Sequence, residues 1–240
     1  MNIRTTSCHG LVLAASFIAA ATAQAQSRLS GPDADAIQAL VTAYARALGE
    51  CRAEDFADLF EPGTGYFASG FRGHMEGREQ LVELVRSERH CLVPPDASQP
   101  VRPGAANGPT VEIEVDGDAV LGIAKLGTAE YQDEYVRTAQ GWRFASRTVI
   151  LDAEKAAGID ARGLLAIHRL GGSALGDHYV PDDNGHPRLL NSGVAVSVSG
   201  SEVSGRAYLK NGGYRDEIYQ QLASGEWRVA SSTYVPPGAD

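Results

Sequence analysis

The sequence repeats itself, and this limits what it can fold into. Val111, Val115, Gly117, Gly122, Ala124, Leu126, Tyr131, Asp133 and Glu134 recur as Val194, Val198, Gly200, Gly205, Ala207, Leu209, Tyr214, Asp216 and Glu217, at a constant offset of 83 residues. After a two-residue insertion, Trp142, Arg143, Ala145, Ser146 and Thr148 recur as Trp227, Arg228, Ala230, Ser231 and Thr233. Upstream, Leu81, Val82 and Leu84 match Leu164, Leu165 and Ile167. Chance alternation produces apolar matches, but not the Tyr-x-Asp-Glu and Trp-Arg-x-Ala-Ser-x-Thr pairs in the right order. The chain therefore reads as one complete unit and a partial copy, the copy holding a helix and four strands. Lacking the first two helices, the copy must bury its sheet on the first unit or on another subunit.

The first unit reads as three helices followed by antiparallel strands, an α+β pattern. Asp33 or Asp35 is placed to cap a helix over residues 35–48, whose Ile37, Leu40, Val41, Tyr44 and Leu48 form one apolar stripe. A short helix is expected over residues 53–60, a strand over 65–71, a connection over 72–77 and a third helix over 78–89. Residues 91–109 form a long loop rich in Pro, Gly and Ala. Strands are expected over 110–115 and 119–126, then a hairpin over 131–150. On its first strand Tyr131, Asp133 and Tyr135 share a face, because strand side chains alternate with period 2. Arg147 on the second strand is positioned to meet Asp133.

Residues 1–25 carry a positive Arg4, an apolar run too short to span a bilayer, and small-x-small sites at 21–23 and 23–25. They read as a signal peptide, which places the mature chain in the periplasm or outside the cell. Export leaves Cys51 and Cys91 as an even pair where oxidation is permitted. A structural disulfide and two buried thiols both fit. No CxxC or Cys/His metal spacing is present. A net charge of -9 argues against nucleic acid or an anionic membrane as partner.

Several segments in order resemble a known family. They are Ala36-Ile37-Gln38-x-Leu40 with Tyr44-Ala45-Arg46-Ala47-Leu48, Phe56-Ala57-x-Leu59-Phe60, Gly77-Arg78-Glu79-x-Leu81, and Tyr131-x-Asp133-Glu134-Tyr135-x-Arg137-Thr138 with Gly141-Trp142-Arg143 and Ser146-Arg147. Together they look like the SnoaL-like branch of the NTF2-like superfamily, over about residues 34–151. The resemblance implies an NTF2-like cone, a curved antiparallel sheet around helices with a pocket in its mouth. On this reading the domain spans residues 26–151, and residues 152–240 are a partial second repeat packing on it. The superfamily includes cofactor-independent lyases and isomerases, such as scytalone dehydratase, hexachlorocyclohexane dehydrochlorinase and lignin-dimer formaldehyde lyases, and also non-catalytic binding modules.

By resemblance, His90 stands where the dehydrochlorinase-like members place a base histidine, and Tyr44, Tyr131, Asp133, Arg147 and Val149 match pocket positions. Tyr66 joins them as a candidate aromatic wall. The aspartate that partners the histidine in those lyases is replaced by Gly49. Asp133 recurs in the copy as Asp216, which favours architecture. Arg147 is matched by Ser232, which makes it the more site-specific of the pair. His90, Asp133 and Arg147 are thus the expected catalytic set, with Tyr44, Tyr66, Tyr131 and Val149 lining the pocket. No cofactor and no metal are expected. The expected function is elimination from a small hydroxylated, aromatic molecule, releasing water or a carbon fragment such as formaldehyde, in a homo-oligomer. The alternative is a non-catalytic small-ligand-binding or assembly module.

Overall fold

The structure is a computed structural model that describes residues 29–92, 109–126, 129–173, 178–181, 187–191, 194–209 and 211–239. The signal-peptide reading and most of the 91–109 loop fall outside these residues. Helix α1 (Gly31–Gly49) starts earlier than its stripe suggests. Ser30, not Asp33 or Asp35, is the N-cap: its side chain accepts from the Asp33 amide at 3.3 Å, and Pro32 follows inside the first turn. Helix α2 (Ala53–Ala57) is shorter than expected. The expected connection after strand β1 (Tyr66–Ser69) is instead a second strand, β2 (Gly73–Glu76), paired back onto β1. Helix α3 (Gly77–Arg86) ends at Ser87, and His90 lies beyond it in a separate turn of helix, α4 (Arg89–Leu92).

Strands β3 (Glu112–Asp116), β4 (Ala119–Leu126), β5 (Ala129–Thr138) and β6 (Gly141–Leu151) form the expected meander. The six-stranded sheet runs β2-β1-β6-β5-β4-β3, with β1 parallel to β6 and every other pair antiparallel. Its concave face packs on the helices. Ile37, Leu40, Val41, Tyr44 and Ala47 of α1 and Leu81, Val82, Leu84 and Val85 of α3 meet Phe67, Met75, Val120, Tyr135, Phe144 and Val149.

The chain continues through α5 (Asp152–Ala156), α6 (Ala161–Ser173), β7 (His178–Pro181), β8 (Pro187–Asn191), β9 (Ala195–Ser199), β10 (Glu202–Tyr208), β11 (Tyr214–Gln221) and β12 (Trp227–Val235). The four-stranded sheet β12-β11-β10-β9 copies β3–β6, consistent with a partial repeat, and β7-β8 is a separate pair. A second core lies between the sheets: Ile150 from β6, Ile159, Leu164 and Ile167 from α6 and its lead-in, and Val194, Val203, Ala207 and Tyr219 from the copy. Residues Ser146 to Ile150 are all buried. Such a run marks a strand covered on both faces. The copy thus buries its apolar side on the outer face of the first sheet, with α6 between. The side chain of Gln132, also on that outer face, accepts the first amide of α6 at 2.8 Å. Among the described residues no helix is long and apolar enough to cross a membrane.

Both sheets carry the same irregularity. The register of β5 against β6 shifts between Glu134 and Tyr135, leaving Ala145 unpaired, and that of β11 against β12 shifts between Ile218 and Tyr219, leaving Ala230 unpaired. These are the two Ala positions of the repeated Trp-Arg-x-Ala-Ser motif, so that motif encodes a β-bulge. In both sheets a glycine lies under a tyrosine ring. A Cβ on Gly122 would come within 2.6 Å of Tyr135, and one on Gly205 within 2.7 Å of Tyr219. Substituting either glycine by Ala is expected to cost about 1–3 kcal/mol through overpacking. Urea denaturation of Gly122→Ala and Gly205→Ala checks this, and no change at both would contradict the ring placement.

Candidate functional site

The bulge decides which side chains enter the cone. Strict alternation would put Phe144 and Arg147 on opposite faces of β6, since they are three residues apart. Skipping Ala145 turns Phe144, Arg147 and Val149 all inward. Arg147 is fully buried. Its guanidinium carbon lies 4.1 Å from the centre of the Tyr44 ring, 4.3 Å from Tyr131 and 4.9 Å from Phe144. Cation–π contacts in such a desolvated place are worth about 2 kcal/mol. Asp133 faces Arg147 directly across the β5–β6 ladder. Its Oδ2 lies 3.4 Å from Arg147 Nη1 and accepts the Tyr135 hydroxyl at 2.8 Å.

The pair is incompletely bonded. Among the described residues, Arg147 Nε, Nη1 and Nη2 and Asp133 Oδ1 have no hydrogen-bond partner. Buried polar groups in folded proteins are nearly always paired, and each exception needs a cause. Burial raises the pKa of Asp133, against the opposing pull of Arg147 and the Tyr135 hydrogen bond. Burial likewise pushes the Tyr44 and Tyr131 hydroxyls up, so both stay protonated at neutral pH. Tyr44 and Phe144 are buried, whereas Tyr131 is only half-buried and is the ring that reaches outward.

The structure thus gathers Tyr44, Tyr131, Asp133, Arg147 and Val149 on one inner face. His90 is bonded elsewhere. His90 Nε2 hydrogen-bonds the Leu48 carbonyl at 3.0 Å at the end of α1, and Nδ1 lies 3.9 Å from Glu88. No hydrogen bond or ion pair joins His90 to Asp133 or Arg147 among the described residues. The reason is that α3 stops four residues before His90, and α4 turns it onto the α1 terminus. Cys51 and Cys91 are joined as a disulfide, with Cα atoms 5.5 Å apart. Tyr66 also lies elsewhere. It neighbours Ser146 on the outer face of the sheet, and its ring packs on His74 at 4.9 Å. Phe67, the next residue, takes the inward place. Lys125 is exposed, and Trp142 is half-buried with its indole N–H on Asp33 at 2.9 Å.

Two features were not read from the sequence. Glu88, between α3 and α4, is bonded to Arg72 at 2.8 Å and is near enough that its charge raises the Tyr44 hydroxyl. No motif flags it, because it sits in a non-repeating turn. The second concerns the copy. Sequence alignment pairs Asp133 with Asp216, but the structure gives the role of Asp133 to Glu217. Glu217 is buried, accepts the Tyr219 hydroxyl and faces Gly205, as Asp133 accepts Tyr135 and faces Gly122. Ten residues separate Gly122 from Asp133, and eleven separate Gly205 from Glu217, so the second hairpin contains one more. Asp216 instead binds Arg206 at the surface, at 2.7 and 2.8 Å. In the copy the cation is Arg215, 3.0 Å from Glu217 and donating to the Gly171 carbonyl at 2.7 Å.

A family model for the SnoaL-like domain matches residues 31–148. No curated protein sequence matches the chain. Among solved structures, the chain is similar to a protein of unknown function from Mycobacterium tuberculosis, at 24% identity over 49% of this chain and 70% of that one, with a TM-score of 0.35. It is similar to an NTF2-like protein with a cystatin-like fold from Novosphingobium aromaticivorans, at 19% identity over 50% and 82%, TM-score 0.36. It is also similar to a hexachlorocyclohexane dehydrochlorinase, at 18% identity over 49% and 84%, TM-score 0.35. These likenesses concern the fold alone.

On the outer face, burial lowers the His74 pKa to about 4, with Arg169 adding to the effect. Glu76, 3.7 Å away and half-exposed, does not offset it. The unfolded histidine titrates near 6.5, so folding is favoured fully above that pH. Stability is lost as pH falls from about 6.5 to about 4, where only the unfolded chain takes the proton. The loss at the lower end is on the order of 3 kcal/mol. Urea midpoints of the wild type and His74→Asn at pH 7 and pH 4.5 measure it. The variant should show the smaller drop, and equal drops would contradict the assignment.

Proposed function

From the premise that residues 31–148 are a SnoaL-like domain of NTF2-like fold, we propose that the chain is a cofactor-independent lyase whose reacting pair is Asp133 and Arg147. The observation that carries this reading is the buried guanidinium with no hydrogen-bond acceptor on any of its three nitrogens among the described residues, beside a carboxylate with one oxygen unbonded. A ligand oxygen on Arg147 would satisfy donors that otherwise cost free energy by their burial. The aromatic walls fit a planar, hydroxylated substrate, and Tyr131 is the ring that must shift to admit it.

The chemistry is general-base elimination. Asp133, whose raised pKa suits it to hold a proton, takes one from a carbon of the substrate. The electrons of that C–H bond become the new double bond. The C–O bond on the next carbon breaks, and the departing hydroxide leaves as water with the proton returned by Asp133. Arg147 stabilises negative charge on a conjugated oxygen while it builds up. Release of formaldehyde follows the same scheme, with a hydroxyl proton taken and a C–C bond broken. His90 has no part in the step. Export to the periplasm belongs to this proposal, supported by the Cys51–Cys91 disulfide.

A second reading is favoured by the copy, where the same carboxylate–tyrosine unit is roofed by α6 and has a purely architectural place. On that reading the first unit binds a small ligand without turning it over. Thermal melts against a panel of phenolic diols and diaryl compounds test both. At least one compound should raise the wild-type Tm by about 2–4 °C, corresponding to about 1 kcal/mol. Arg147→Met should lose that shift, and Asp133→Asn should keep the shift but lose turnover. No shift with any compound, or an equal shift in Arg147→Met, would sink the site. Retained turnover in Asp133→Asn would remove Asp133 as the base.

A further inference from the structure

The disulfide and the histidine set aside above form a cluster of their own. Ligand atoms of Cys51, His90 and Cys91 all lie within 4.8 Å of one another. Sequence spacing hides this, because Cys51 follows α1 and the other two lie in α4. Three further observations bear on what the cluster can hold. First, the Leu48 carbonyl accepts from His90 Nε2, so the Nε2 nitrogen carries the proton and the Nδ1 lone pair is left available. A histidine that binds a metal usually donates its other N–H to a carbonyl or carboxylate, which fixes ring and tautomer. Second, Glu88 stands 3.9 Å from Nδ1 and is held in place by Arg72. Third, Cys51 has φ 58, the only described non-glycine residue with positive φ. That conformation is disfavoured for an L-residue, and here it accompanies a Cys51 sulfur joined to Cys91 of α4.

We propose that, once the Cys51–Cys91 bond is reduced, the two sulfurs and His90 Nδ1 bind a thiophilic divalent cation such as Zn²⁺. Disulfide and metal are then alternative occupants of one place. A dithiol supplies the two electrons and two protons, closing its own disulfide while Cys51 and Cys91 become thiols. Cation binding displaces the two thiol protons to solvent, and Glu88 or water completes a four-coordinate sphere. The Cα separation of 5.5 Å lets the sulfurs part without a large backbone movement to the spacing that a metal with bonds of about 2.3 Å to sulfur and about 2.0 Å to nitrogen demands. The cluster lies within reach of solvent, Cys51 being exposed and His90 and Cys91 half-buried. This inference is independent of the lyase reading, since neither Asp133 nor Arg147 takes part.

The test uses the purified chain, reduced with a dithiol, desalted without oxygen and titrated with Zn²⁺ and with Co²⁺ as a spectroscopic probe. The reduced protein should bind one equivalent of Zn²⁺ more tightly than about 1 μM. With Co²⁺ it should show thiolate charge-transfer bands and tetrahedral absorption. The oxidised protein should bind none, and so should a Cys51→Ser, Cys91→Ser double variant with native circular dichroism. His90→Ala should bind at least about tenfold more weakly. The proposal is overturned if the reduced protein takes up no stoichiometric metal, or if His90→Ala or the double variant binds as well as the wild type. It is equally overturned if reduction abolishes the folded circular-dichroism signal and Zn²⁺ does not restore it.

Discussion

Strand β6 is buried on both faces, and the rest of the molecule is arranged around that fact. Its inner face presents Phe144, Arg147 and Val149 to the helices, and its outer face presents Ile150 to the second core. Burying an aliphatic side chain of this size stabilises by about 1.5–3 kcal/mol, so the outer face is a substantial docking surface. Thr148 is buried there too, with its hydroxyl unpartnered among the described residues. A solvent-facing sheet would have no use for that arrangement. The copy therefore supplies the outer wall that an isolated domain of residues 31–148 would lack, with α6 filling the space between the two sheets.

Closure on both sides explains why Arg147 is held so firmly. Its guanidinium is sandwiched by rings from two different elements, α1 and β5, and faces a carboxylate in the neighbouring strand. A buried ion pair of this kind is weak evidence for stability, because desolvation offsets much of the Coulomb attraction. The three rings recover part of that cost. The missing hydrogen bonds do not, and among the described residues they mark a place in the first core where the chain has not satisfied its own chemistry.

Much of this was legible in the sequence, for identifiable reasons. The α1 stripe, the β4 span and the hairpin follow from periodicity, which burial enforces directly. The repeat was visible because two units under similar packing keep Trp, Ala, Ser and Gly at corresponding places. Strand β2 was not legible, since four residues are too few for a pattern and Gly73-His74 reads as a turn. The inward turn of Arg147 was half legible. Its identity stood out, but its direction depends on the bulge at Ala145, and nothing in a one-residue window separates a bulged alanine from a paired one. The bonding of His90 was not legible for the same kind of reason: its neighbourhood is set by where α3 ends and by the disulfide between Cys51 and Cys91, 40 residues apart in sequence.

The one-residue slip between the copies gives the sharpest argument about function. Aligned by sequence, Asp216 suggests that the buried acid is shared and the arginine is not. Aligned by structure, the buried acid, its tyrosine and the glycine beneath are all shared, as Asp133–Tyr135–Gly122 and Glu217–Tyr219–Gly205. What differs is what lies on top. In the copy, α6 passes so close that a Cβ on Gly171 would fall 2.6 Å from the Tyr219 hydroxyl and 3.0 Å from Glu217. The Gly171 carbonyl takes up an N–H of Arg215. In the first unit, among the described residues, no backbone carbonyl bonds Arg147, and its guanidinium lies against side chains, of which Tyr131 is half-exposed. A carboxylate–tyrosine pair is thus the scaffold in both sheets. We place function in the sheet covered by side chains, whose arginine has no hydrogen-bond acceptor among the described residues.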